Sequence, residues 1–185
     1  MLSAFSSPLF LYHYFEATHG PFRNLSDLES EAAEAILQQL RDEGNCFAAR
    51  RAPDYLRIRR ELEERIRALF VQKRGQPRRE RPHYMIVGAC DWLCTWYQEV
   101  DVVTIPLSAF HPQTISFTYG DSFPAMLYTD GKPYRDQVYT LDELQSLIQQ
   151  YGLPQDWNQD GACGPERYIE AQIWDDQPLQ AYMYS

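Results

Sequence analysis

No stretch of the 185-residue sequence is apolar for long enough to cross a bilayer as a helix, which takes about 20 consecutive apolar residues. No glycine-rich phosphate loop is present. The run GACG at 161–164 has neither a following helix nor a lysine, so it supports neither a P-loop nor a dinucleotide-binding fingerprint. The Gly-x-Ser-x-Gly elbow of serine hydrolases is absent, as are internal repeats and low-complexity tracts. The four cysteines, Cys46, Cys90, Cys94 and Cys163, are too few for a disulfide framework in a chain of this size and read as free thiols of a reducing cytoplasm. Cys90 and Cys94 would share a helical face, but zinc needs two more ligands and only the unconnected His83 and His111 are on offer. Buried helix cysteines are the ordinary state, and no metal is expected. Nothing ties Cys163 to a histidine as a nucleophile pair. The opening MLSAFSSPLFLYHYFE has no basic leader and no evident small-residue cleavage site, and it reads as mature sequence.

Positive charge is scarce except in one place. Residues 50–81 hold 12 of the 17 Lys and Arg and 5 of the 26 Asp and Glu, a local charge of +7. The rest carries 5 basic and 21 acidic residues, −16, and the two sum to the net −9. The chain is therefore not a generally basic nucleic-acid binder. It is an acidic protein with one basic segment that could face a polyanion.

The chain length suits one domain spanning 1–185, with a helical, basic segment at 26–75 followed by a strand-rich part at 82–180. FLYHYFE at 10–16 is strand-like. SDLESEAAEAILQQLRDEG reads as a helix, with Ser26 and Glu29 as a capping box, Leu28, Ala32, Ile36 and Leu40 on one stripe, and Gly44 as the stop. A second helix from Asp54 to Lys73 has Ile58, Leu62, Ile66, Leu69 and Phe70 as its apolar stripe. Its arginines alternate with Glu61, Glu63 and Glu64, so a solvated, self-paired face is the ordinary interpretation. The loop KRGQPRRER at 73–81 has only Glu80 as counter-charge, which makes Arg74, Arg78, Arg79 and Arg81 the candidate phosphate contacts. HYMIVG, VDVVTIPL and TISFTYG follow as strands, ACDWLCTWYQE as a short helix, and TLDELQSLIQQYG as a helix boxed by Thr140 and Glu143 and stopped by Gly152. Helices early and strands late indicate the α+β class.

RYIEAQIWDD at 167–176 is strand-like too. Alternation puts Tyr168, Glu170, Gln172 and Trp174 on one face, a carboxylate and an amide between two large rings. A lone strand carboxylate is usually solvated, and His13, set among aromatics, is ordinarily a packed residue.

The order of these pieces resembles the DarT-type DNA ADP-ribosyltransferases, a branch of the ADP-ribosyltransferase fold. RYIEAQIWDDQPL is similar to that family's glutamate strand, with Arg167, Glu170, Asp175 and Pro178 at the matching spacings. RPHYMIVGACDWLCTWY resembles its Pro-aromatic-Tyr-aromatic strand and following helix, with Pro82 and Tyr84 in register. DVVTIPLSAFHPQTISFTYGDSF takes the place of two further strands, LYHYF of the strand with a nicotinamide-side histidine, and FAARRAPDY of the basic pair before a variable loop. FRNLSDL stands where the family has an early asparagine region, while the arginine-rich helical segment within 20–81 departs from the family. The resemblance covers residues 10–15 and 82–180, and its motifs persuade by order and spacing.

The resemblance implies two small packed antiparallel sheets preceded by the arginine-rich helical segment. It implies transfer of ADP-ribose from NAD to an acceptor, with a single-stranded nucleic-acid base as candidate acceptor at the basic segment 73–81. Glu170 would be catalytic, stabilising an oxocarbenium-like transition state. Arg51 would assist, and His13, Tyr84, Tyr119 and Arg50 would bind NAD by ring stacking and phosphate contact. A non-catalytic nucleotide- or protein-binding module on the same fold is the alternative. A third reading makes Glu170 and Asp121 an acid–base pair on an unrelated α+β fold.

Overall fold

The computed structural model describes residues 8–44 and 46–183. The reading of the chain start as mature sequence falls in part on residues 1–7, outside the described residues. The elements are β1 (Phe10–Glu16), α1 (Ser30–Glu43), α2 (Tyr55–Gln72), β2 (His83–Val87), β3 (Val100–Pro106), β4 (Ile115–Tyr119), α3 (Ser122–Leu127), β5 (Tyr139–Thr140), α4 (Leu141–Tyr151), α5 (Pro154–Trp157) and β6 (Ile169–Ile173), with several 3-10 turns between them. The class is α+β. No helix among the described residues is long and apolar enough to cross a membrane.

The strands form one open antiparallel sheet in the order β3-β1-β2-β6-β4-β5. This corrects the expectation of two packed sheets. The last strand, β6, inserts between β2 and β4 and pairs with both, so a single ladder system runs edge to edge. The seam between β1 and β2 is the short one. Only Leu11↔Val87 and Tyr12↔Ile86 pair there, whereas β1 and β3 pair from Phe10↔Pro106 to Glu16↔Val100. Beyond Tyr12 the two strands part, and the fork opens the cleft described below.

Period-two alternation gives the sheet two different faces. One carries Leu11, Met85, Val87, Phe117, Tyr119, Ile169, Ala171 and Ile173 into the main core, against Leu144 and Leu147 of α4. The other packs Trp174 against Leu62, Ile66 and Phe70 of α2, the stripe that periodicity predicted. Alternation also holds for Tyr168, Glu170, Gln172 and Trp174, all buried on this second face.

Helix ends follow local chemistry where nothing tertiary competes. Thr140 and Glu143 form the expected capping box, and Gly44 ends α1 at φ 65°, a left-handed conformation that costs glycine little. At the start of α1 a tertiary bond wins. Ser26 lies in a 3-10 turn capped by Asn24, its hydroxyl donates to Glu63, and the helix begins at Ser30 without the Ser26–Glu29 box. The buried side of α1 is Ala33 and Leu37, one position away from the predicted stripe, and Leu28 and Ile36 stay exposed. The expected helix after β2 is a 3-10 turn over Asp91–Trp96. The loop after α4 contains the short helix α5.

Candidate functional site

Glu170 lies at the floor of a cleft of about 1430 Å³ opened by the fork and walled on one side by α2 and the turn before it. It is 6 % exposed although it is a carboxylate at mid-strand. A directed chain of hydrogen bonds orients it. Trp174 Nε1–H donates to Ser116 Oγ at 2.9 Å, Ser116 donates to Gln172 Oε1 at 2.9 Å, and the Gln172 amide donates to Thr118 Oγ1 at 3.0 Å and to Glu170 Oε1 at 3.2 Å. Thr118 spends its one hydroxyl proton on Gly120 O at 3.0 Å, so it can only accept from Gln172, and the amide nitrogen must be the end that faces Thr118 and Glu170.

A second carboxylate shares the floor. Asp121 caps α3 through the Phe123 N–H at 2.8 Å and accepts the Tyr168 hydroxyl at 3.1 Å. Burial, followed by the charge of Asp121, pushes the Glu170 carboxyl well above the usual range. Burial likewise raises Asp121, against the pull of its hydrogen bonds from Phe123 and Tyr168. Two like charges in one low-dielectric site resist ionising together, so the pair holds on to a proton more strongly than ordinary carboxylates do. Such a pair offers one carboxylate to stabilise positive charge and one group to move a proton.

Tyr84 stands on the same face of the sheet as Glu170, since it is paired with Gln172 and so lies diagonally from Glu170 across β2 and β6. Its hydroxyl donates to Glu63 Oε1 at 2.9 Å. The same oxygen accepts Ser26 Oγ at 2.8 Å and Arg59 Nε at 3.0 Å, and the Arg59 guanidinium carbon lies 4.9 Å from the centre of the Tyr84 ring. Burial, followed by the Glu63 charge, raises the Tyr84 phenol well above its ordinary value, so it remains protonated. Phe47, Trp92 and Trp96 form an aromatic wall at the cleft, with Phe47 stacked on Trp96 at 4.0 Å.

Of the residues expected from the sequence, Glu170, Tyr84, Arg50 and Arg51 line this cleft. Arg51 has its guanidinium 4.4 Å from the Tyr55 ring centre, and Arg50 is exposed. His13 borders the cleft, but alternation puts it on the main-core face with Leu11, and its ring fills the fork. Nδ1 donates to Tyr84 O at 2.9 Å and Nε2 accepts the Phe22 N–H at 2.9 Å, so both nitrogens are committed to main chain. Burial lowers its pKa to about 4, and the ring is neutral. This corrects the expectation that His13 binds NAD. On β1 the residues facing Glu170's side are Tyr12 and Tyr14, packed with Ile86 and Tyr168. Tyr119 is also corrected. It is fully buried on the opposite face, where its hydroxyl donates toward Tyr151 O at 2.8 Å and Gly152 O at 3.0 Å.

The basic loop is far less free than its sequence suggests. Arg78 pairs with Asp175 at 2.9 Å, Arg79 with Asp27 and with Asp176 at 2.6 Å, and Arg81 with Glu64 at 2.9 Å. The missing counter-charges come from distant segments, which corrects the view of Arg78, Arg79 and Arg81 as uncompensated phosphate contacts. Arg74 stands exposed at a turn with φ 69°. Arg167 lies over the Trp92 ring at 4.2 Å and donates to Gln159 O at 2.7 Å. Among the described residues no group of three or more His, Cys, Asp and Glu side chains could hold a metal ion.

Gln172, Arg59 and Glu63 belong to the site although none is among the residues expected there from the sequence. Gln172 was within reach, because it shares the Glu170 face two positions on. Arg59 and Glu63 carried only the i,i+4 pattern of a solvated salt bridge, and nothing local distinguishes them from the exposed pair Arg57–Glu61 on the same helix. No protein-family model, curated protein or solved structure matches the chain.

Proposed function

We propose that the protein transfers ADP-ribose from NAD to an acceptor, with Glu170 as the catalytic carboxylate. The observation that carries this reading is Glu170 itself: a buried, hydrogen-bond-oriented carboxylate at the floor of a deep, ring-lined cleft, diagonal to Tyr84 on the neighbouring strand. Of the strands whose sequences resemble the family's motifs, β1, β2 and β6 are consecutive neighbours in the sheet.

The chemistry suits this site. The C1′–N bond of the nicotinamide riboside breaks with its electron pair leaving on the ring nitrogen, so neutral nicotinamide departs without a general acid. Positive charge develops at C1′ and the ring oxygen, where an anionic neighbour stabilises it. In the empty cleft Glu170 favours its protonated form. The cationic pyridinium of bound NAD would favour the carboxylate, so substrate binding and the active charge state reinforce each other. The acceptor nucleophile then bonds to C1′, and its proton goes to the Asp121–Glu170 pair. Tyr84 and the aromatic wall offer stacking surfaces and exclude water. Arg50 and Arg51 are among the cleft cations available to the diphosphate. The paired state of Arg78, Arg79 and Arg81 removes the main reason to seat a polyanion on the loop, and a nucleic-acid acceptor would have to be recognised at the cleft itself.

Asp121 beside Glu170 favours a second reading, a hydrolase with a carboxylate acid–base pair. One experiment separates them. The protein is incubated with NAD, with and without single-stranded DNA, RNA or cell extract, and nicotinamide release is compared with that of Glu170→Gln. Release that requires an acceptor and falls at least 100-fold in Glu170→Gln is the expected result. Equal release by both proteins overturns the role of Glu170. Binding of NAD without release leaves a non-catalytic module, and no interaction with NAD leaves the hydrolase reading.

A further inference from the structure

Arg59 lies in a run of alternating arginines and glutamates that suits a solvated helix face, yet its side chain is only 14 % exposed and all three of its nitrogens are used. Nε donates to Glu63 Oε1 at 3.0 Å, one terminal nitrogen to Tyr55 Oη at 3.0 Å and the other to Asn24 Oδ1 at 2.9 Å. Three acceptors from two separate elements leave the planar fork one orientation, above the Tyr84 ring at the cleft wall. Glu63 is shared. Arg81 approaches its other oxygen at 3.9 Å, so Glu63 does not cancel Arg59 alone.

We propose that Arg59, held by Glu63, Tyr55 and Asn24, is a positioning residue whose fixed positive charge at the cleft wall favours the anionic form of the Asp121–Glu170 pair. The side chain has the required chemistry: a guanidinium stays protonated at any physiological pH and its fork cannot swing aside once three bonds are made. The other groups around the pair do not substitute for it. Tyr84 from β2, Tyr168 just before β6 and Tyr97 after the Asp91–Trp96 turn are phenols that burial pushes up, so they stay neutral. Arg51 is the other nearby cation, and what holds it is stacking on Tyr55, whereas Arg59 is fastened at three points. Positive charge from Arg59 lowers both Asp121 and Glu170, opposing part of the burial effect. The catalytic consequence rests on the transferase reading; the charge relationship does not.

The test follows the carboxyl groups directly, by carbon-13 NMR titration of protein labelled at the Asp and Glu carboxyls, with resonances assigned through Asp121→Asn and Glu170→Gln. In Arg59→Gln the apparent titration of the pair should move up by about one pH unit, a tenfold change in proton affinity. Arg59→Lys, which restores charge without the fork, should recover much of it. Glu63→Gln, which removes a negative neighbour and leaves the guanidinium, should move the titration the other way. A purely structural Arg59 would leave the titrations of Arg59→Gln and Arg59→Lys alike, and that result overturns the proposal. If Arg59→Gln does not fold, Glu63→Gln decides the matter: a titration that stays in place or rises overturns it. Nicotinamide release is measured in parallel. Shifted carboxyls with no release from native protein would retain this inference and remove the transferase reading.

Discussion

Tyr168 donates its hydroxyl to Asp121 Oδ2 at 3.1 Å, and that one bond ties β6 to the capped start of α3. It joins the strand that carries Glu170 to the second carboxylate of the floor. Tyr168→Phe keeps the ring and deletes the donor, leaving a buried carboxylate oxygen one partner short. The expected cost is about 1–2 kcal/mol in urea unfolding at pH 7. The Asp121 carboxyl should rise further, because the Tyr168 bond is one of the interactions holding it down.

Glu170→Gln should stabilise the protein at neutral pH while abolishing nicotinamide release. The folded-state pKa of Glu170 lies above the ordinary carboxylate value, so the native state binds the extra proton over the interval between them. Stability from this group is complete at acid pH and is lost as pH rises above about 4.5 toward the folded value. The urea midpoint of Glu170→Gln should therefore exceed that of native protein at pH 7–8, and the gap should close near pH 4. A gap that is constant with pH would show that Glu170 does not titrate in this way.

The histidines work in the opposite sense. Burial lowers both His13 and His83 to about 4, so both are neutral in the native state. Their contribution is present above pH 6.5 and is lost as pH falls from there through about 4, where the unfolded chain takes up protons that the native chain refuses. Histidine proton NMR should show two rings resisting protonation at pH 5.5. His13→Phe leaves Tyr84 O and the Phe22 N–H without their partner at the fork, and should cost about 2 kcal/mol or more in urea unfolding.

Arg79→Ala should act on stability before it acts on any polyanion. Arg79 joins the loop to Asp27 and Asp176 with its side chain 17 % exposed, and its removal should cost about 1–2 kcal/mol after allowance for the solvent reaching both carboxylates. The salt dependence of single-stranded DNA binding should be nearly the same before and after the change, because those carboxylates already neutralise the loop. A slope reduced by about one would restore the loop as a phosphate site.

Thr140→Ala should cost about 1 kcal/mol through loss of the capping box at α4, measurable in the same unfolding assay.

Local signals carried much of the secondary structure. The strand bounds of β1, the apolar stripe of α2, the Thr140–Glu143 box and the glycine stops all depend on interactions within a few residues. The departures share one cause. Ser26 abandons its box because Glu63, 37 positions away, is a better partner in the folded chain. The basic loop loses its apparent excess charge because Asp27, Asp175 and Asp176 are brought to it from both ends of the sequence.

Of the candidate site, the sequence by itself determined that Glu170 shares a strand face with Tyr168, Gln172 and Trp174, because alternation is a property of the strand alone. Only the tertiary structure decided that this face is buried at a cleft floor, that Asp121 joins it, and that Tyr119 points the other way. It also decided that His13 spends both nitrogens on main chain and that Arg59 turns inward. Burial and partnership depend on which strands become neighbours, and β6 reaches its central place by pairing at once with β2, more than 80 positions earlier, and with β4, more than 50 earlier. No local pattern encodes that insertion.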